Sequence, residues 1–348
     1  MKIAIATVQI PFVSGGAEFL AQNLKTELAA RGHDAEIVTI PFVDEPMHMI
    51  SNHVMAARMM DLNYSWAGRV DLCIGLKFPA YCIPHSNKVN WILHQHRGAY
   101  DLFDTEYTNL RCDPDGLIMR QTIYNADNLY LMEAKRNYTI ARNVSARLRR
   151  YNGIESTPLY HPCPEMEKFY CEGSEDYILM PSRISSTKRQ MLALRAMCLT
   201  KSRIKLYLVG RADSEAERNR VISFIREHKL EDRVKYFDYV TQEEKFRLYA
   251  NAKAVLFIPV DEDYGYITVE AMASSKPIIT ALDSGGPLEF VLDEQTGEVV
   301  VPEAEEIARA IDYMASSKYA AIEMGKRGKQ HLIDMNISWD NVVKELTR

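Results

Sequence analysis

The stretch Asp261-Glu262-Asp263-Tyr264-Gly265-Tyr266-Ile267-Thr268-Val269-Glu270-Ala271-Met272-Ala273 reads as the end of a strand meeting the start of a helix. The apolar run before it, Ala254 to Pro259, has the composition of a buried parallel strand, and Gly265 turns the chain into an apolar helical segment. In open α/β sheets such junctions collect ligands, because free backbone N–H groups and the helix dipole converge on an anion. Glu262 lies in the turn and Glu270 in the first turns of the helix, so both are expected to face one crevice.

The same alternation fills the chain. Upstream come strands at Tyr177–Met180, Lys205–Val209 and Val234–Phe237, with helices at Lys188–Leu199, Ser214–His228 and Gln242–Ala250; Pro277–Thr280 and Glu298–Val300 follow as short strands. An earlier run has strands at Lys2–Val8, Ala35–Ile40, Val70–Gly75, Val89–Leu93 and Asn137–Ala141. Helices are expected there from Gly15-Gly16 to Ala30, over Met47–Ala67, over Leu117–Lys135, and over Val144–Tyr151, the last basic and solvated. Pro158, Pro162 and Pro164 punctuate the passage between the two runs. The expectation is an α/β chain of two doubly wound parallel sheets, divided as 1–168 and 169–330, with a helical segment over 331–348.

Composition agrees with this and narrows the function. A chain of 348 residues is longer than one core usually serves, and 47% hydrophobic with 26% charged residues is ordinary for a globular protein. The net charge of −5 argues against a nucleic-acid partner. Six cysteines at 73, 82, 112, 163, 171 and 198, with no Cys-x-x-Cys pair, read as small core residues in a reducing cytoplasm. The apolar start is broken by Gln9 and Pro11 and reads as a strand, not a leader. No apolar stretch has the ~20 residues of a membrane helix, so any membrane contact is expected to be peripheral.

Three further groups gather at strand ends. Gly15 and Gly16 follow the first strand and suit a close backbone approach to phosphate. Arg183 and Lys188 flank a short polar turn at a helix start, where cations run against the dipole; two fixed positive charges there would hold a diphosphate without a metal. His94 and His96 leave the strand at Val89–Leu93, and alternate residues of an extended segment point the same way. His94 is favoured for the site because it comes straight off the strand. Ser284-Gly285-Gly286-Pro287 supplies one more tight turn, expected on the same crevice.

Gly-Gly-Ala-Glu at 15 to 18, Arg-Ile-Ser-Ser-Thr-Lys at 183 to 188, Glu262 to Ala273, Ser-Gly-Gly-Pro-Leu-Glu at 284 to 289 and the closing helix with Trp339 together resemble the retaining glycosyltransferases of family 4, of the bacterial surface-polysaccharide type. The resemblance implies the GT-B fold: two facing Rossmann-like domains, the first for acceptor and the second for donor, with the last helix crossing back to the first. It implies that the backbone at Gly15 and Gly16 approaches the donor diphosphate, which Arg183 and Lys188 clamp. Glu270 would bind ribose hydroxyls and Glu262 the donor sugar. Tyr264, Gly265, Tyr266, Ile267 and Thr268 would contact sugar and phosphate through their backbone, with His94 near the reacting sugar. The substrates implied are a nucleotide-diphosphate sugar, UDP-linked in preference to GDP-mannose, and a saccharide or lipid-linked acceptor. No cofactor is called for, since the nucleotide sugar is a co-substrate.

Asp261-Glu262-Asp263 and Asp113-Pro114-Asp115 match the Asp-x-Asp that holds a divalent cation in another class of sugar transferases. The Arg183/Lys188 pair makes a metal unnecessary, so metal binding is not expected. Two rival readings keep the same architecture: a nucleotide-sugar epimerase, and a binding protein that lost catalysis. Donor, acceptor, linkage and oligomeric state stay open at this level.

Overall fold

The structure is a computed structural model that describes residues 1–12 and 15–348, Lys318 by its backbone alone. It divides into two compact units: Met1–Pro164 with Ser338–Arg348, and Glu165–Ile337.

The first unit is built on strands β1 (Lys2–Gln9), β2 (Asp34–Pro41), a two-residue hairpin β3/β4 (Tyr64–Ser65, Gly68–Arg69), β5 (Leu72–Lys77), β6 (Lys88–His94), β7 (Arg136–Thr139) and β8 (Thr157–Pro158). Its main sheet is parallel, in the order β2-β1-β5-β6-β7-β8. β1 and β6 are buried along nearly their whole length, which is why they read as continuous apolar runs and not as alternating ones. Helices α1 (Gly16–Ala30), α2 (His48–Met59), α3 (Gly116–Tyr130) and α4 (Arg142–Asn152) connect them.

The second unit has strands β9 (Tyr177–Met180), β10 (Lys205–Val209), β11 (Val234–Phe237), β12 (Ala254–Leu256), β13 (Ile278–Ala281) and β14 (Gly297–Val300), parallel in the order β11-β10-β9-β12-β13-β14. Helices α5 (Gln190–Leu199), α6 (Glu215–Glu227), α7 (Gln242–Asn251), α8 (Tyr266–Ala273), α9 (Ala304–Ser316) and α10 (Lys318–Asp334) belong to it, and α11 (Trp339–Thr347) returns to the first unit. Ile178, Met180, Leu206, Leu208, Leu256 and Ile279 are among the strand residues of one apolar core shared with α5 and α9. No helix among the described residues is long and apolar enough to cross a membrane.

Several expectations change. The units meet at Pro164/Glu165 instead of 168/169, and the returning segment begins at Ser338 instead of 331. The chain at 157–159 still belongs to the first unit: β8 pairs with β7, and the Trp91 indole N–H donates to the Leu159 carbonyl at 3.0 Å. The helix expected over Met47–Ala67 stops at Met59, because Asp61 accepts the Asn63 N–H and the chain turns into the β3/β4 hairpin. Lys188 precedes its helix: Ser186–Lys188 is a 3-10 turn, and Arg189 at φ 60° separates it from α5. Of the cysteines, Cys112, Cys171 and Cys198 are exposed and not core.

Ser338 accepts the Asn341 N–H at 3.3 Å and caps α11. Trp339 behind it lies edge-on to Trp91, centroids 6.2 Å apart, and stacks on His161 at 6.0 Å. The Tyr138 hydroxyl donates to Glu345 at 2.9 Å. Aromatic packing plus a buried-side hydrogen bond thus fixes the last helix to β6 and β7.

Candidate functional site

In the second unit, strand order reverses at β9: the chain proceeds to β10 and β11 on one side, then to β12 and beyond on the other. That is a topological switch point, and the crevice beyond the strand ends there is where doubly wound sheets take ligands. The loops after β9, β12 and β13 are tied together at this place. Val260 N–H donates to Thr187 O at 2.8 Å, Asp261 N–H to Asp283 O at 2.8 Å, Glu262 N–H to Ser284 O at 2.8 Å, and Gly286 N–H back to Glu262 O at 2.7 Å. The Ser284 hydroxyl donates to Pro259 O at 3.0 Å. The turn at 284–287 is therefore joined to the acidic stretch by main-chain bonds.

Close approach explains the glycines here. A Cβ on Gly286 would lie 2.7 Å from the carbonyl oxygens of both Asp263 and Tyr264. Gly265, at φ 88°, reverses the chain just before α8, a conformation that costs a side chain roughly 1–2 kcal/mol.

Two ion pairs close the loops. Lys188 Nζ donates to Glu262 Oε2, with side chains 15% and 25% exposed, and its ammonium lies 5.5 Å from the Phe257 ring centroid. Arg189, which the sequence reading passed over, holds Asp283 through two parallel bonds of 2.7 and 2.6 Å. Arg183 stands apart from Glu262: its guanidinium is exposed and donates to Asp213 at 2.6 Å. Beneath the turn, buried Gln190 accepts the Ser185 N–H at 3.2 Å and donates to the Ser182 hydroxyl and the Arg183 carbonyl at 2.9 and 2.8 Å. A polar residue opening a helix that is apolar apart from Arg195 was the available signal for it.

Glu270 is buried and does not share Glu262's partners. Its carboxylate accepts from Lys245 Nζ at 2.5 Å and from the Tyr249 hydroxyl at 2.6 Å, both on α7. Tyr264 is buried, edge-on to Phe290 with centroids 5.3 Å apart, and Tyr266 lies 5.6 Å from Tyr264. Ile267 is half-buried, and Thr268 is fully buried with a hydroxyl that meets no hydrogen-bond partner among the described residues.

The first unit has its own switch point, between β1 and β5. Gly15 and Gly16 lie after β1 there, with Ser14 outside the described residues. Gly15 caps α1, and its N–H donates to Glu18 Oε2 at 2.7 Å. Gly16 is the first helical residue.

The two histidines part company. His94 ends β6, half-buried, with Nδ1 2.6 Å from the Gln95 carbonyl oxygen. His96 packs edge-on to Phe78 and Phe42, centroids 5.7 and 6.3 Å away, and lines a cavity in the first unit; His94 does not. Between them Gln95 is buried and donates to Asp127 at 2.9 Å, which also accepts from the Tyr81 and Tyr100 hydroxyls at 2.8 and 2.7 Å. Complete burial pushes the Asp127 carboxyl up to about 6, with those three donors opposing the shift. Among the described residues, no group of three or more His, Cys, Asp or Glu is placed to hold a metal ion. At Asp113-Pro114-Asp115, Asp113 accepts the Asp115 N–H at 2.8 Å.

With this geometry in place, known proteins supply the class. Residues 165–331, nearly the whole of the second unit, match the family model described as glycosyl transferases group 1. A stretch of 109 residues is 33% identical to the alpha-1,3/1,6-mannosyltransferase ALG2 of Dictyostelium discoideum, covering 31% of this chain and 26% of that protein. The chain thus spans well under half the length of that relative. Two solved structures match nearly end to end. A sucrose-phosphate synthase from Thermosynechococcus elongatus superposes with a TM-score of 0.79 at 18% identity, over 99% of this chain and 97% of that one. HepE from Anabaena, solved in complex with UDP and glucose, superposes at 0.71 and 17%, over 99% and 98%. The fold is that of the GT-B glycosyltransferases.

Proposed function

We propose that this protein transfers a hexosyl group from a nucleotide-diphosphate sugar to a hydroxyl of a saccharide or lipid-linked saccharide, retaining anomeric configuration and needing no metal. The observation that carries the reading is the convergence of Lys188 and Glu262 at the switch point of a group 1 glycosyl transferase domain. Lys188 and Arg183 would take the diphosphate, Lys188 exchanging its carboxylate partner for phosphate oxygens. Glu262, released, would accept hydroxyls of the donor sugar, and the backbone from Tyr264 to Thr268 would line sugar and phosphate. Glu270 would hold the ribose; in the first unit taken by itself, Gly15, Gly16 and His94 are the residues we assign to substrate. HepE, bound to UDP in its solved form, favours a UDP-sugar, and ALG2, a mannosyltransferase by name, keeps a mannosyl donor in view.

Chemically, the bond between the anomeric carbon and the leaving phosphate breaks while the acceptor oxygen bonds to that carbon on the same face. The acceptor's proton passes to the departing phosphate oxygen. The ammonium of Lys188 stabilises charge developing on the diphosphate, the electrostatic contribution that usually dominates such steps. The nucleotide sugar is a co-substrate, and we assign no further cofactor. A site at the cytoplasmic face of a membrane, in surface-polysaccharide synthesis, fits a lipid-linked acceptor.

A panel of UDP-sugars and GDP-mannose, incubated with saccharide acceptors in EDTA, tests the reading through release of nucleoside diphosphate and the NMR coupling of the new anomeric proton. An α-linked product from an α-linked donor supports it. An inverted anomer overturns retention, and an isomerised donor without acceptor makes the protein an epimerase.

A further inference from the structure

The first unit contains a cavity of about 360 Å³ between the β2–α2 connection and the loop after β6. Small-molecule sites occupy about 300–1,000 Å³. Three carboxylates line it, Asp44, Glu45 and Asp113, and no Lys or Arg is among its described lining residues. His96, on the same wall, does not offset them: burial pushes its imidazole below the usual range, with Asp44 opposing, so the ring is neutral at pH 7. Its Nδ1 is buried and meets no hydrogen-bond partner among the described residues. Tyr107 and Asn109 supply neutral polar groups, and the Asn109 amide donates to Glu45 Oε1.

Walls of one charge sign focus a negative potential that repels phosphate and carboxylate and attracts ammonium groups. Carboxylate, amide and phenol together are also the partners that sugar hydroxyls need. The three carboxylates are not grouped to hold a metal, so a cation cage does not account for them. We propose that this cavity is a saccharide subsite for a sugar unit free of phosphate and carboxylate, with an amine-bearing sugar preferred. The inference deepens the transferase reading and rests on it: the subsite would hold the acceptor sugar, and a lipid-linked acceptor would carry its phosphates outside the cavity.

Calorimetric titration of the full chain at pH 7 with glucosamine, glucose, glucuronate and glucose 6-phosphate tests this. Glucosamine should bind at least about tenfold more tightly than either anion, a difference of the size one charge-assisted contact supplies. The double variant Asp44→Asn, Asp113→Asn, whose positions are exposed and place little demand on folding, should lose that preference. Anions binding as tightly as glucosamine, or a preference unchanged in the double variant, would overturn the assignment. A nucleotide-sugar titration of the wild-type protein is read beside it. Failure there overturns the transferase reading, whereas failure of the sugar preference overturns the cavity assignment alone.

Discussion

Lys188 and Glu262, 74 residues apart in sequence, form an ion pair at the end of the second sheet. Without donor, the pair shields the ammonium that the mechanism assigns to a diphosphate and the carboxylate it assigns to a sugar. Glu262→Gln keeps the shape and removes the charge. Turnover is expected to fall about 100-fold, the lower end of what losing one preorganised polar group at a reacting centre costs. Initial rates at saturating donor provide the check; full activity in the variant would remove Glu262 from the sugar.

Gly286 admits no side chain without moving the 261–265 loop, since a Cβ would stand 2.7 Å from two backbone carbonyl oxygens. Gly286→Ala should cost about 1–3 kcal/mol through overpacking and lower donor affinity with it. Thermal unfolding and donor titration on one sample would show both; unchanged affinity would mean that the turn does not shape the site.

Glu270 is held by Lys245 and Tyr249, and its proposed work is with ribose hydroxyls. Wild-type protein should bind UDP more tightly than 2′-deoxy-UDP. Glu270→Gln should shrink that gap, and a gap of the same size in the variant would assign the carboxylate to structure alone.

Two buried groups of the first unit give its stability opposed pH dependences. Asp127, raised to about 6 from an ordinary 3.8, binds protons in the fold that the unfolded chain has released, so its contribution is full below pH 4 and is lost as pH rises through 6. His161, lowered by burial to about 4 from 6.5, does the reverse: its contribution is present above pH 6.5 and is lost as pH falls through 4. Each amounts to on the order of 3 kcal/mol, so the two largely cancel between pH 4 and 6.5. Burial lowers His33, His53 and His96 as well, with the same sign as His161. Asp127→Asn should therefore make stability rise with pH across this window, and His161→Gln should bring the slope down. Trp66, Trp91 and Trp339, the only tryptophans, all lie in the first unit, so indole fluorescence in urea reports on it alone. Parallel slopes in wild type and variants would contradict the assignment.

Much of the architecture was legible because buried parallel strands are continuous apolar runs. Tyr177–Met180 and Val89–Leu93 announced themselves in this way, and Ser338-Trp339 carried a cap and an aromatic anchor. Positions decided by tertiary contact were not legible. Nothing local to Arg189 shows that it turns at φ 60° to hold Asp283, 94 residues on. Nothing local to Glu270 shows Lys245 and Tyr249. His94 and His96 have identical alternation, yet only His96 lines the acidic cavity, because the loop from 97 to 113 folds beside it. Glu18 accepting the Gly15 N–H is one half of a capping box, foreshadowed by its spacing of three residues; Gly15 has no side chain to supply the other half.

The most direct test of the central claim is the turnover of Lys188→Ala with the preferred nucleotide sugar. A loss of about 100-fold or more in kcat, with melting temperature nearly unchanged, is the expected result. Turnover equal to wild type would contradict the account, since the charge proposed to stabilise the leaving diphosphate would then be idle.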